Sequence, residues 1–135
     1  MWEVWQLLDG ISESIAGSQY DIRHALVEGG GSWKTGLRLL KDKINTIVLK
    51  DFRWEKIDGK WKLLNTPLGE GMVDFPAYFK LLKEYGIKVP VSLHLEYDLG
   101  GAEHGKRDLD EAGRKRVYKA IEKDVELAQK WWKEA

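Results

Sequence analysis

Three β-rich runs, Ile15 to Tyr20, Ile44 to Leu49 and Val89 to Tyr97, are separated by connections long enough to cross a sheet, each carrying a helical pattern. Strands joined in that way run parallel with right-handed crossovers, because tight hairpins cannot link them. The order helix, strand, helix, strand, helix, strand, helix therefore specifies an α/β chain of three βα units behind a leading helix. In such designs functional groups gather beyond the C-terminal ends of the strands. Here those ends are Asp21 to His24, Lys50-Asp51 and His94 to Asp98.

The first end is the most suggestive. Asp21 and His24 stand three apart, followed by Glu28 and by glycines that permit a close backbone, so the strand is expected to open into a loop, with Ser32 as N-cap of the next helix. A carboxylate and an imidazole there can share a cation, or one can orient the other. The flanking elements follow from patterning. Trp2 to Leu8 reads as a short helix stopping at Asp9-Gly10, and Ser32 to Lys43 as a helix with Leu37, Leu40 and Ile44 on one side. Asp58-Gly59 between alternating residues predicts a hairpin, an excursion from the core. Asp74 caps a helix from Pro76 to Tyr85 that Gly86 ends, and a last helix runs from about Asp110 to Lys133. In the third strand Val91, Leu93 and Leu95 share one face, and Ser92, His94 and Glu96 the other.

Composition removes several classes of function. With 135 residues, 43% of them hydrophobic, the chain is expected to be a single partial (β/α) domain over 1–135 with a real core. Lys and Arg balance Asp and Glu at 22 each, so no long-range field recruits nucleic acid or an anionic membrane. The absence of cysteine excludes disulfides, thiolate metal sites and a cysteine nucleophile. Neither a signal peptide nor a membrane span is read, and the expected location is cytoplasmic. Seven tryptophans are many for this length, and Trp2, Trp5, Trp131 and Trp132 suggest apolar surface at both ends that wants a partner.

Four motifs in order, Tyr20-Asp21-Ile22-Arg23-His24-Ala25, Val48-Leu49-Lys50-Asp51-Phe52, Pro67-Leu68-Gly69-Glu70-Gly71 and His94-Leu95-Glu96-Tyr97-Asp98-Leu99-Gly100-Gly101-Ala102-Glu103, cover nearly the whole chain. Together they resemble the C-terminal part of the xylose-isomerase-like TIM barrels, the sugar phosphate isomerase/epimerase group. The resemblance implies a partial TIM barrel whose strands are the sixth, seventh and eighth of the parent, with the first half lying before this chain. It also implies a divalent metal (Mn, Mg, Co or Zn) held by Glu, Asp, His and Glu, which polarises a sugar carbonyl and its neighbouring hydroxyl. By that resemblance Asp21 and Glu96 are metal ligands, and His24 lies near a sugar substrate. The histidine of the family's His-x-Lys-Asp is Val48 here, and the first Glu belongs to an earlier strand. Two of four ligands are matched, so metal binding by the isolated chain is expected to be weak or absent.

Strand alternation adds a further residue. Thr46, Val48 and Lys50 share a face, and if Ile47 and Leu49 pack on helices, Lys50 points to the interior shared by Asp21, His94 and Glu96. An ammonium can there take the place of the cation, either pairing with the carboxylates as structure or polarising a carbonyl. Lys50 and His94 are thus the candidate catalytic groups, and His24, Glu28 and Glu103 the candidate substrate contacts. Glu70 and His104 are loop residues where solvation competes with contact.

Two functions stand against each other: part of a sugar isomerase or epimerase, inactive alone, and a non-catalytic self-associating scaffold. Base-excision endonuclease action, found in a related branch, lacks the ligand cluster and the basic surface it needs. Three parallel strands also leave two sheet edges unpaired, so a homo-oligomer, most simply a dimer, is the expected partner arrangement.

Overall fold

The computed structural model describes residues 1–135. Its helices are α1 (Trp2–Leu8), α2 (Ile22–Gly29), α3 (Trp33–Leu40), α4 (Phe75–Glu84) and α5 (Glu111–Glu134). Its strands are β1 (Ser18–Asp21), β2 (Ile44–Leu49), β3 (Asp51–Ile57), β4 (Lys60–Thr66) and β5 (Val91–Leu93). One sheet has the order β1-β2-β5 with both pairings parallel, and β3 and β4 form a separate antiparallel hairpin. This is the α/β arrangement of three parallel strands in chain order that the connections demanded.

The two faces of the sheet separate by period 2. Tyr20, Ile47 and Leu49 point to the helices, where Leu37, Leu40, Phe75, Tyr78, Phe79 and Leu82 close a core with them. Each such fully buried side chain contributes roughly 1.5–3 kcal/mol by leaving water. The Tyr20 hydroxyl donates to the Trp33 carbonyl at 3.1 Å, which lets a phenol sit at the centre of that core. On the opposite face the register places Asp21 beside Val48 and Val48 beside Ser92. Lys50, two residues beyond Val48, continues that row.

Several boundaries differ from expectation, each for a local reason. The first strand begins at Ser18, because the preceding serines hold a turn in which the Ile15 N–H donates to the Ser12 carbonyl at 2.9 Å. The loop expected after Asp21 is instead α2, which buries Ile22 and Ala25 and is capped by Asp21 itself. Ser32 makes no side-chain cap, since a 3-10 turn over Gly30–Ser32 feeds α3 directly. α3 stops at Leu40, and Lys41–Lys43 form a second 3-10 turn. The third strand is only Val91–Leu93: Pro90 has no N–H to pair, and the Glu96 N–H turns back to the His94 carbonyl at 3.1 Å.

The expected helix caps and hairpin turn are present. Asp74 caps α4 through the Ala77 N–H at 3.0 Å, and Gly86, at φ +68°, ends the helical run. Asp110 caps α5 through the Gly113 N–H at 2.7 Å. Asp58 and Gly59 at φ +52° and +75° make the tight hairpin turn. The hairpin is more than an excursion, however, because Asp51, Phe52 and Thr66 at its base are buried. The terminal tryptophans divide. Trp131 stacks on Phe75 at 4.7 Å between centroids, tying α5 to α4, whereas Trp2 stacks on Trp5 and remains largely exposed. No helix is long and apolar enough to cross a membrane.

Candidate functional site

All three parallel strands end at one polar cluster. Lys50 follows β2 with its side chain almost fully buried, and its Nζ lies 3.1 Å from Asp21 Oδ2 at the end of β1 and 2.8 Å from Glu96 Oε1 beyond β5. Strand alternation delivers Lys50 to this face. The turn after His94 brings Glu96 over it, and the position of Asp21 is fixed by its second task. Its Oδ1 accepts from the Arg23 and His24 N–H groups at 3.0 and 3.2 Å, while Oδ2 faces Lys50. One carboxylate therefore caps a helix with one oxygen and pairs with the ammonium through the other.

Burial acts against the charged form of Lys50, but the bonds to Glu96 and Asp21 outweigh it and hold its pKa above the ordinary lysine value. Burial likewise tends to raise Glu96, and Lys50 outweighs it, leaving that carboxyl below its ordinary value. Both groups are charged at neutral pH.

The histidines stand at the edge of the cluster. His94 Nδ1 is 3.6 Å from Glu96 Oε1, and His24 lies 3.6 Å from Asp21 Oδ2 and 3.5 Å from Glu28 Oε1. These separations exceed hydrogen-bond length, so both imidazoles keep donors and acceptors for other partners. Glu28 is a mostly exposed α2 residue behind His24. Glu103 makes no hydrogen bond or ion pair with the cluster: its Oε2 accepts from the Leu99 and Gly101 N–H groups at 2.9 and 3.0 Å. Its own N–H and these two hold its pKa below the ordinary value. Its carboxylate shapes the loop after β5. The structure thus brings Asp21, Lys50, His94 and Glu96 together, adds His24 and Glu28 at the rim, and leaves Glu103 outside.

Three groups escaped the sequence reading. Arg23 Nη2 donates to Asn65 Oδ1 at 3.0 Å, and Asn65 Nδ2 donates to the Glu96 carbonyl at 3.2 Å, so the hairpin bridges the ends of β1 and β5. Asp51, next to Lys50 in the chain, is buried with its carboxylate accepting four backbone N–H bonds, from Phe52 (2.8 Å), Gly69 (2.9 Å), Gly71 (2.9 Å) and Val73 (3.1 Å). It pins the Pro67–Val73 loop to the root of the hairpin. Gly71 is required there, because an added Cβ would run into Asp51 Oδ1 and the Phe52 carbonyl. The nearest sequence signal was the Gly69-x-Gly71 spacing, which marks a close backbone approach without naming its partner.

The chain belongs to the xylose isomerase-like TIM barrel family, whose family model matches residues 1–114. No curated protein matches it. The divalent ion expected from the family fits poorly here. Asp21 and Glu96 approach a common point, but no group of three or more His, Asp or Glu side chains converges to hold a metal. The space between the two carboxylates is taken by Lys50 Nζ. A groove of about 570 Å³ lies elsewhere, at the N-terminal end of β5 between α4 and α5, and is lined largely by apolar side chains including Ile47, Phe79, Val91 and Trp132.

Proposed function

We propose that this chain is the C-terminal part of a sugar (phosphate) isomerase/epimerase-like barrel, which presents a polyol-binding cluster and does not turn substrate over on its own. The observation that carries this reading is the meeting of Asp21, Lys50 and Glu96 at the ends of all three parallel strands, with only two of the family's four metal-ligand positions matched. Hydroxyl groups of a sugar suit such a cluster. Carboxylate lone pairs accept from them, and an ammonium has three donors, of which the two carboxylates take two. Lys50 and His94 are the groups nearest a reacting carbonyl, His24 and Glu28 line the approach, and a small sugar is the partner. The location proposed is the cytoplasm.

The test is direct. NMR-monitored isomerisation and epimerisation of aldoses, ketoses and their phosphates by the full chain, with and without manganese, is expected to show no turnover. Turnover lost in Glu96→Gln would overturn the proposal.

A second reading, a self-associating scaffold, has its own support. β1 and β5 each pair only with β2, and the free edge of β5 adjoins the apolar groove, where Val91 and Trp132 are exposed. Two copies meeting along that edge would cover both features, as a two-fold dimer. Light scattering over a dilution series is expected to report a dimer, and a stable, cooperatively folded monomer at micromolar concentration would refute it.

A further inference from the structure

β5 is an edge strand whose outer side lies open. The Ile47 N–H donates to the Pro90 carbonyl at 3.0 Å and the His94 N–H to the Leu49 carbonyl at 3.1 Å, so Pro90, Ser92 and His94 turn their backbone groups toward β2. Alternation turns the N–H and C=O of Val91 and Leu93 the other way, where β5 has no strand neighbour. We infer that this edge pairs with the same edge of a second copy, antiparallel and centred on Ser92: Val91 of each copy exchanges both backbone hydrogen bonds with Leu93 of the partner subunit.

The edge is complementary to itself. A two-fold axis at Ser92 sets each outward N–H against an outward C=O and pairs both outward residues within the strand Val91–Leu93, whereas an axis at Val91 or Leu93 leaves the other one facing Leu95 or Val89, outside the strand. Nothing on the strand guards it. Val91, Ser92 and Leu93 carry no charge, and the missing N–H of Pro90 falls on the side that faces β2. The pairing brings Leu93 of the partner subunit directly beside Val91, which is 49% exposed and borders the apolar groove lined by Phe79, Val89 and Trp132. Charge is complementary across the axis as well. Reversal sets the exposed Lys88, at the N-terminal end of one β5, toward the C-terminal end of the other, beyond which Glu96 is 44% exposed.

The inference deepens the scaffold reading and rests on it, and its test separates the two: light scattering reads whether two copies associate, and a single thiol reads where. The chain has no cysteine of its own, so Ser92→Cys carries one thiol at the proposed axis. Facing residues of an antiparallel pair that share no hydrogen bond have Cα atoms about 4.5 Å apart, within reach of a disulfide. Mild oxidation of Ser92→Cys is expected to give a covalent dimer on a non-reducing gel, and Gln19→Cys, on β1, to stay unlinked at the same concentration. Val91→Lys puts a charge on the edge and is expected to raise the dimer dissociation constant at least about tenfold with an unchanged far-ultraviolet circular dichroism spectrum. A dimer in which Ser92→Cys stays unlinked, or in which Gln19→Cys links equally well, overturns the inference and leaves self-association standing; a wild-type monomer at micromolar concentration overturns both. Hydrogen exchange of the wild type decides even where a variant fails to fold. Val91 and Leu93 amides that are protected in the dimer and lose that protection on dilution support the pairing, and amides that exchange at the same rate at both concentrations overturn it.

Discussion

Lys50 and Asp51 are consecutive residues on one extended run, and each is a buried charge, but they are stabilised in different ways. Asp51 is enclosed by backbone: four N–H groups, three of them from the loop over Gly69 to Val73, direct their dipoles at its carboxylate. Lys50 is enclosed by side chains, one of which, Glu96, is 44% exposed. Backbone donors cannot leave without unfolding a loop, so the Asp51 cage is structural and has little capacity left for a ligand. Side-chain partners can rotate, exchange with water or accept from an incoming hydroxyl. Of two adjacent buried charges, the one held by side chains is the one that the proposed binding role falls on.

The contrast is broken most severely by Asp51→Ala, which strands the loop N–H groups. It is expected to cost about 3 kcal/mol or more, read as a lowered denaturant midpoint. Gly71→Ala attacks the same cage from the other side by forcing a Cβ against the Asp51 carboxylate and the Phe52 carbonyl, and should cost about 2–3 kcal/mol in the same measurement. Lys50→Met should be milder, about 1–2 kcal/mol, because the carboxylates it leaves can draw in water at the open end of the cluster. A Lys50 variant as damaging as Asp51→Ala would show that both cages are structural.

Acid titration sharpens the comparison further. Burial tends to raise Glu96, but Lys50 outweighs it, so the folded carboxyl sits below its ordinary 4.5. The stability it contributes is present above that pH and is lost as pH falls through the lower folded value, so Glu96→Gln should flatten the acid limb of a stability profile. The smallest effect belongs to Asp124, buried in α5, whose carboxyl is raised by burial despite the Tyr97 hydroxyl donating to it at 3.0 Å. Its charged form is disfavoured in the folded chain, so stability declines as pH rises from the ordinary 3.8 through the folded value. Asp124→Asn keeps an acceptor for Tyr97 and should stabilise by about 0.5 kcal/mol at neutral pH, a gain that disappears in acid.

The parallel sheet was legible in the sequence because the strands announce themselves locally. Ile44, Thr46, Ile47 and Val48 are β-branched, and the crossovers between strands are too long for hairpins. Alternation along β2 likewise put Lys50 on the face of Asp21. What escaped were features with non-local causes. α2 was hidden because it has only eight residues, ends in glycine, and is capped by a residue that read as a site group. The Asp51 cage closes with partners 18 to 22 residues away, and no local pattern marks a carboxylate for that fate. The short β5 was missed because period-2 alternation persists through His94 to Glu96, although the chain turns there and the hydrogen-bond ladder ends.

The adjacency of Lys50 and Asp51 also bears on how the chain finds its alignment. Side chains on an extended strand alternate, so a slip of one residue would exchange these two. The ammonium would then face the backbone N–H donors that enclose Asp51, like charge against like dipole, and a third carboxylate would join Asp21 and Glu96. An apolar strand that slips loses contacts, whereas this one would gain repulsion at both places at once. The pair thus works as an electrostatic proofreader, rejecting the misaligned sheet even where the neighbouring Ile47, Val48 and Leu49 would tolerate either face.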